Sequence, residues 1–242
     1  MAEPEISLFF PVYKDENTVE RVARKSIDVL SKLSQSWELI IINDGSPDRS
    51  GAIADGLAKE NPNVRVIHHP KNLGYGVAIR RGLSEARGKW ICFTDGDDEY
   101  DVYEFLHLYK LKDFYDLIIT FRYKKLYSSK RIFISYVYNW ILRRIFRTRY
   151  RDISTGLRAI NKTLASELAL QSDSPFIGAE IAIKSQFKGF RVGEVGIQTF
   201  PREFGRGNSV TGRNIFATLS DMFKVHKEIF SDNYALPGNR SR

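Results

Sequence analysis

Short apolar runs alternate with stretches of helical periodicity along the first hundred residues. Four runs of β-prone residues predict strands over Ile6–Val12, Trp37–Ile42, Val64–His68 and Trp90–Thr94. Between the first two runs, apolar residues recur at helical spacing from Val19 to Leu33. Because strands and helices alternate with short connections, the pattern predicts an α/β fold: a Rossmann-like, mainly parallel sheet with helices on both faces.

The second half of the chain is less regular. Its pattern predicts helices over Lys162–Gln171, Gly178–Phe187 and Ile215–Phe230, and a strand over Arg191–Phe200. Pro201 to Ser209 form a basic loop that could fold over an anion or could be a plain exposed connection. We expect one domain over residues 1–212, and an amphipathic helix with a flexible tail over residues 213–242.

Acidic residues follow two of the predicted strands. Trp90–Thr94 ends at Asp95-Gly96-Asp97-Asp98, and Ile42 is followed by Asn43 and Asp44. The carboxyl ends of parallel strands share one edge of a sheet, where ligands bind. Two carboxylates separated by one glycine suit Mg²⁺ or Mn²⁺, which prefer oxygen ligands and often bridge to phosphates. The alternative is that these aspartates cap a helix that begins near Val102.

Residues 122–151 are different in kind, because they hold ten Lys or Arg and no acid. Apolar residues fall on one helical stripe: Ile134, Val137, Tyr138, Ile141, Leu142 and Ile145. A basic amphipathic helix with Trp and Tyr at its margins is typical of a membrane interface. Two alternatives remain: a charged face over an apolar stripe packed in the core, or a surface for single-stranded nucleic acid.

Composition narrows the partners and the compartment. The net charge is +8 and the pI is near 9.5, so we expect an anionic partner: nucleic acid, a membrane surface or a phosphorylated substrate. A single cysteine, Cys92, excludes a disulfide within the chain and fits a reducing compartment. The first residues lack the apolar segment of a secretory signal, and no run approaches the roughly 18 apolar residues of a membrane span.

Two common nucleotide-binding motifs fit poorly. No GxxxxGK[ST] sequence occurs, which argues against a P-loop. Gly74-Tyr75-Gly76 is a partial dinucleotide motif, but Ile79 replaces its third glycine. A tight turn with close helix packing is the better interpretation, and the helix start there could still face a phosphate. For His68 and His69 we expect packing rather than metal binding.

Six motifs taken in order resemble a known family. They are Pro11-Val12-Tyr13, Asn43-Asp44-Gly45-Ser46-Pro47-Asp48, Asn72-Leu73-Gly74-Tyr75-Gly76, Asp95-Gly96-Asp97, Asp152-(x)3-Gly156-Leu157-Arg158, and Gly193-Glu194-Val195 followed by Arg202-(x)2-Gly205. Over residues 5–212 the chain resembles family 2 glycosyltransferases with the GT-A fold, and most of all the polyprenyl-phosphate sugar transferases, typified by dolichyl-phosphate mannosyltransferase. The resemblance implies that residues 1–212 form the catalytic domain and that residues 122–151 contact the acceptor and the membrane.

The resemblance also implies roles for individual residues. Pro11, Tyr13, Asp15, Ile42 and Asp44 would line the base and ribose of a nucleotide-sugar. Asp95, Gly96 and Asp97 would form the DxD-type motif, with Asp95 and Asp97 binding Mg²⁺ or Mn²⁺. Arg122, Arg202 and Arg206 would contact phosphates. Asp152 would orient the acceptor or its arginines, with a cap of the next segment as the alternative. Three departures affect these roles: Asn43 stands where many members have an aspartate, Gly96 where the family often has alanine, and Asn208 near the place of a family lysine.

The implied activity is inverting transfer of a hexose, mannose or glucose, from GDP- or UDP-hexose to a polyprenyl (dolichyl-type) phosphate. The enzyme would lie peripherally on the cytoplasmic face of a membrane, with a membrane-anchoring partner left open and no nucleic acid bound. A phosphate acceptor is already ionised, so it needs no strong general base, and no Ser-His-Asp set is evident. The alternatives are transfer to a saccharide or another hydroxyl acceptor, and a basic nucleic-acid or membrane-binding module without enzymatic activity.

Overall fold

A computed structural model describes residues 3–123, 129–201, 203–204 and 211–231. The strands of these residues are β1 (Ile6–Val12), β2 (Trp37–Asn43), β3 (Val64–His68), β4 (Trp90–Phe93), β5 (Leu117–Arg122), β6 (Arg158–Asn161) and β7 (Val192–Ile197). They form one seven-stranded sheet in the order β3-β2-β1-β4-β6-β5-β7. The sheet is mainly parallel, as predicted, because only β6 runs antiparallel to its neighbours β4 and β5.

Helices cover both faces of this sheet. They are α1 (Val19–Leu33), α2 (Ser50–Glu60), α3 (Tyr75–Glu85), α4 (Phe105–Leu108), α5 (Ser129–Phe146), α6 (Lys162–Glu167), α7 (Ile177–Phe187) and α8 (Gly212–Ile229), with short 3₁₀ helices at Val102–Glu104 and Tyr109–Leu111. Side chains that alternate along β1 enter two separate cores: Leu8 and Phe10 pack with α1 and α2, whereas Phe9 packs with α3 and α7. The predicted fold class, a Rossmann-like, mainly parallel α/β sheet with helices on both faces, is confirmed.

The basic segment 122–151 is not one element. Arg122 is the last residue of β5, and α5 begins at Ser129. The predicted apolar stripe of α5 faces inward: Leu142 is buried, and Tyr138 and Ile145 pack against the core. That face therefore cannot bind a membrane, and the exposed face of α5 carries a separate set of aromatic side chains, described below.

The C-terminal helix α8 packs against the same core as α5 and α7, through Val225 and Ile229. Phe146 of α5 and His226 of α8 meet edge to face, with ring centroids 5.9 Å apart. A boundary between residues 212 and 213 stays a prediction. No helix in the described ranges has both the length and the apolar character needed to cross a bilayer.

Candidate functional site

The site lies where β1 and β4 end side by side at the carboxyl edge of the sheet. Gly96, in the turn after β4, presses against this end of β1. A Cβ at Gly96 would stand 2.6 Å from the carbonyl oxygen of Pro11 and 3.5 Å from the carboxylate of Asp15. Glycine therefore lets the acidic turn approach β1 closely, and alanine would force the two loops apart.

Asp95 is held from two sides. The hydroxyl of Tyr75, at the start of α3, donates a 2.8 Å hydrogen bond to its Oδ1 atom. Burial, together with the charge of Asp95, holds the pKa of Tyr75 well above its usual range, so this hydroxyl keeps its proton. On the other side, a Cβ at Gly156 would fall on the Asp95 carboxylate. The loop before β6 thus packs directly on the first aspartate of the motif.

The neighbouring aspartates have different partners. Asp97 is nearly buried, and its Oδ1 accepts a 3.1 Å hydrogen bond from the backbone N–H of Glu99. Asp98 points to α1, where it binds Arg21 at 2.6 Å and Lys25 at 2.9 Å. The cap of the 3₁₀ helix that begins at Val102 is Asp101, whose side chain accepts from the N–H of Tyr103. Asp95 and Asp97 therefore do not serve as that cap.

Asp44, at the end of β2, joins that strand to the start of α3. Its carboxylate accepts hydrogen bonds from the backbone N–H groups of Leu73 (2.9 Å) and Gly74 (3.0 Å), and lies 2.7 Å from Nδ1 of His69. His68 contacts Asn43 and Asp55 instead. Both histidines thus hydrogen-bond to protein groups.

The glycine pair at the start of α3 serves backbone geometry. Gly74 has a φ of +102°, which only glycine adopts readily, and a Cβ at Gly76 would stand 2.5 Å from the backbone of Asp173. A tight turn with close packing accounts for both residues.

The end of β1 is built around Asp15. Its Oδ2 accepts the backbone N–H of Tyr13 at 2.9 Å, and its own N–H donates to Ser50 Oγ at 3.0 Å. A cavity of about 300 Å³ opens beside it, lined by Lys14, Asp15, Glu16, Asn17, Thr18, Pro47, Asp48 and Phe204. Ile42, in contrast, is fully buried and pairs with Pro11 and Ile67 inside the sheet, so its side chain does not line the site.

Arg122 and Asp152 form a buried ion pair at the end of β5. Nε and Nη2 of Arg122 lie 2.8 and 2.7 Å from Asp152 Oδ2, and their side chains are 7% and 4% exposed. Ser154 Oγ accepts a further bond from Arg122 at 2.9 Å, and Asn139 Nδ2 lies 3.3 Å from Asp152. Asp152 therefore fixes the orientation of the guanidinium.

The sequence prediction left Arg158 out of the site, although its motif was recognised. Arg158 is the first residue of β6, directly opposite Phe93 of β4, and is fully buried. Hydropathy does not predict that Arg158 is buried in a strand, because charged side chains are almost never fully buried. The loop between Asp152 and Arg158 therefore connects the arginines to Asp95.

The remaining predicted site residues, Arg202 and Arg206, lie outside the described residues. Within the described part of the chain, no group of three His, Cys, Asp or Glu side chains could hold a metal by itself. Asp95 and Asp97 supply hard carboxylate oxygens at the sheet edge, and these suit a divalent cation whose remaining ligands come from substrate phosphates and water. The donor chemistry thus fits Mg²⁺ or Mn²⁺.

Comparisons with known proteins agree with this fold. The profile of Glycosyl transferase family 2 matches residues 7–166. Glycosyltransferase AglD of Haloferax volcanii is 28% identical over 82% of this chain, and dodecaprenyl-phosphate galacturonate synthase of Rhizobium johnstonii is 26% identical over 90%. Dolichyl-phosphate beta-glucosyltransferase ALG5A of Trichomonas vaginalis is 30% identical over 41% of the chain. The matches span 33% of AglD, 34% of ALG5A and 67% of the Rhizobium protein, so the chain covers about a third of two of these relatives.

A solved structure shares the fold. Glucosyl-3-phosphoglycerate synthase from Mycobacterium tuberculosis, in complex with Mn²⁺, UDP-glucose and phosphoglyceric acid, superposes with a TM-score of 0.66 at 19% identity. The superposition covers 92% of this chain and 80% of that one. Because the family profile matches well over half of the residues, this chain belongs to glycosyl transferase family 2.

Proposed function

We propose that the chain is an inverting hexosyltransferase that moves mannose or glucose from GDP- or UDP-hexose to a polyprenyl, dolichyl-type phosphate at a membrane surface. One observation carries the proposal. A single loop, residues 152–157, packs against the Asp95 carboxylate at Gly156 and pairs with Arg122 through Asp152. Groups suited to a metal-bound diphosphate and to a second phosphate are thereby held side by side.

The acidic edge would bind the donor. Asp95 and Asp97 would hold Mg²⁺ or Mn²⁺, which supplies positive charge to the departing diphosphate when bound. Tyr13, Asp15 and Asp44, with Pro11 of β1, would surround the base and ribose. The hydrogen bonds that Asp44 and Asp15 accept keep both loops rigid, so the donor would meet a preorganised surface.

The acceptor end favours a phosphate over a hydroxyl group. A hydroxyl acceptor needs a base to take its proton, whereas a phosphate monoester is ionised near neutral pH. Asp152, the carboxylate next to Arg122, is engaged by Arg122, Asn139 and Ser154. It therefore orients the arginine instead of taking a proton. Arg122 would bind the acceptor phosphate, and Arg202 and Arg206, from the basic segment predicted by the sequence at residues 201–209, would add cations.

Two exposed helix faces suit a bilayer surface. On α5, Phe133, Tyr136 and Trp140 point outward and are followed by Arg144 and Arg147. On α8, Ile215, Phe216, Leu219 and Phe223 are exposed, with Lys224 and Lys227 beyond them. Aromatic side chains beside cations are typical of helices that lie in an anionic membrane interface. These faces would bring the acceptor loop to a lipid phosphate.

The relatives support a lipid acceptor by their names, since two are dolichyl- or dodecaprenyl-phosphate enzymes. We also propose that the chain works on the cytoplasmic face, because its only cysteine, Cys92, is a buried free thiol that suits a reducing compartment. A membrane-anchoring partner would add to the affinity of the two helix faces.

A transferase acting on a water-soluble hydroxyl acceptor is the main rival, since the M. tuberculosis neighbour was solved with phosphoglyceric acid. A screen of labelled GDP-mannose and UDP-glucose separates the two. Each donor is offered with polyprenyl phosphate or with free saccharides, in Mn²⁺ or Mg²⁺. We expect label to enter the organic phase only with the lipid phosphate and a metal. Label transferred only to saccharides contradicts the proposal. Salt-sensitive RNA binding with no donor affinity would favour the non-enzymatic module.

A further inference from the structure

The guanidinium of Arg158 is fully buried, and its hydrogen-bond partners among the described residues are all backbone carbonyls. Nε donates to Thr155 O at 3.0 Å, Nη2 to Ile153 O at 2.5 Å, and Nη1 to Gly178 O. No acidic side chain in the described ranges forms an ion pair with it. A buried arginine is usually paired with a carboxylate, because taking a charge out of water is costly. This cation therefore needs another explanation.

The position of Arg158 places its charge behind the metal-binding edge. It lies opposite Phe93 in the β4–β6 ladder, and Asp95 follows Phe93 by two residues. Gly156, two residues before Arg158, touches the Asp95 carboxylate. Burial lowers the pKa of Arg158, while Asp95 and the nearby tyrosines act in the opposite direction. An arginine stays protonated under such conditions, so the charge is permanent.

Room for the guanidinium is built into the fold. A Cβ at Gly178, at the start of α7, would stand 2.8 Å from Nη2 of Arg158. The three accepting carbonyls come from the loop after Asp152 and from α7, so the cation cannot swing out to a substrate. Arg158 thus acts through other groups, as a positioning residue.

We propose that Arg158 is an internal counter-charge that makes the site bind metal and nucleoside diphosphate together. The inference rests on the proposed metal site at Asp95 and Asp97. A fixed positive charge beside Asp95 weakens the affinity of the two carboxylates for a free divalent cation. The same charge favours the diphosphate, whose negative charge exceeds that of the metal it brings. The site consequently loads with the pair and holds little bare metal.

The test compares Arg158→Gln, which removes the charge, with Arg158→Lys, which keeps it. The affinity for Mn²⁺ is measured by titration without nucleotide. The affinities for UDP and GDP are then measured at saturating Mn²⁺. For Arg158→Gln we expect free Mn²⁺ to bind about tenfold more tightly and the nucleotides about tenfold more weakly. Arg158→Lys should stay within about threefold of the original chain in both measurements, since its charge remains. Circular dichroism and thermal unfolding establish that each variant is folded.

Opposite shifts of the two affinities are the signature, because a purely structural role moves both in the same direction. A folded Arg158→Gln whose metal and nucleotide affinities fall together, or do not change, overturns the inference. If Arg158→Gln does not fold, Arg158→Lys tests the inference. A role confined to the three hydrogen bonds would lower the affinity of Arg158→Lys for both Mn²⁺ and nucleotide, which would overturn it.

Asp97→Asn separates this failure from failure of the proposed function. If the unaltered chain binds UDP or GDP together with Mn²⁺ and loses this binding in Asp97→Asn, the metal site stands whatever Arg158 does. If the unaltered chain binds neither Mn²⁺ nor nucleotide, both proposals are overturned.

Discussion

Asp44, on the β1–β4 side of the sheet, accepts hydrogen bonds from the backbone N–H groups of Leu73 and Gly74, whereas Arg158, on the β5–β7 side, donates to three backbone carbonyls. Each region thus uses backbone dipoles of opposite sense to hold side chains of opposite charge. The acidic region, with Asp44, Asp95 and Asp97, suits a metal and a sugar nucleotide. The basic region, with Arg122 and Arg158, suits phosphates. The two regions touch where Gly156 packs against the carboxylate of Asp95.

Removing a carboxylate from the acidic region should have the largest effect. We expect Asp97→Ala to lower sugar transfer by roughly 10²- to 10³-fold, since charge stabilisation of the leaving group is lost. Asp101→Ala is the matched control, because Asp101 only caps the next 3₁₀ helix. Initial rates at saturating Mn²⁺, with thermal unfolding of both variants, make the comparison. Unchanged turnover in a folded Asp97→Ala would remove Asp97 from the metal site.

The basic region is tested by Arg122→Lys, which keeps the charge and loses the forked contact with Asp152. We expect kcat/KM for a polyprenyl phosphate to fall by about 10²-fold, while nucleotide affinity changes little. Arg191→Lys serves as the control, since Arg191 forms an exposed pair with Asp116. If the variant instead loses affinity for the nucleotide and keeps its kcat/KM for the polyprenyl phosphate, Arg122 binds the donor and not the acceptor.

The membrane face should give an intermediate effect. Phe216 and Phe223 of α8 are 76% and 70% exposed, and replacing both by serine should weaken binding to anionic vesicles by about 30-fold. Phe114→Ser is a fair control, because Phe114 is 66% exposed but precedes β5 at the opposite edge of the sheet. Equal vesicle affinity of the two variants in a sedimentation assay would show that α8 does not face lipid.

The contact between the two regions is probed by Gly156→Ala, whose Cβ would overlap the Asp95 carboxylate. We expect Mn²⁺ affinity in the presence of nucleotide to fall by about tenfold. Gly56→Ala is the control: nothing lies within 4 Å of its Cβ, and it sits inside α2. There alanine should stabilise the fold by about 1 kcal/mol. If Gly156→Ala binds metal as well as Gly56→Ala does, the close packing is without consequence for the site.

The two regions also differed in how far the sequence could predict them. β1 to β4 are continuous apolar runs that end at turn residues, so their positions and the shared edge at Asp44 and Asp95 followed from the pattern. β5 and β6 were not predicted. β6 has only four residues, runs antiparallel and begins with a buried arginine, so neither periodicity nor hydropathy marks it.

Side-chain partners were the least predictable part of the site. Asp97 and Asp98 are neighbouring aspartates, yet their partners differ. Asp98 binds Arg21 and Lys25 of α1, whereas Asp97 accepts a hydrogen bond within its own turn. The apolar stripe of α5 was evident, but its burial in the core depends on α7 and α8, which lie far along the chain. Such choices are made by tertiary packing, which local sequence does not encode.

The central claim is that Asp95 and Asp97 bind a divalent cation together with the diphosphate of a sugar nucleotide. Calorimetric titration of GDP and UDP into the chain, with Mn²⁺ and with a chelator, tests it most directly. We expect one of the two nucleotides to bind at a single site with Mn²⁺, and its affinity to fall at least tenfold with the chelator or in Asp97→Ala. Nucleotide binding that is equally tight without metal and in Asp97→Ala would contradict the account.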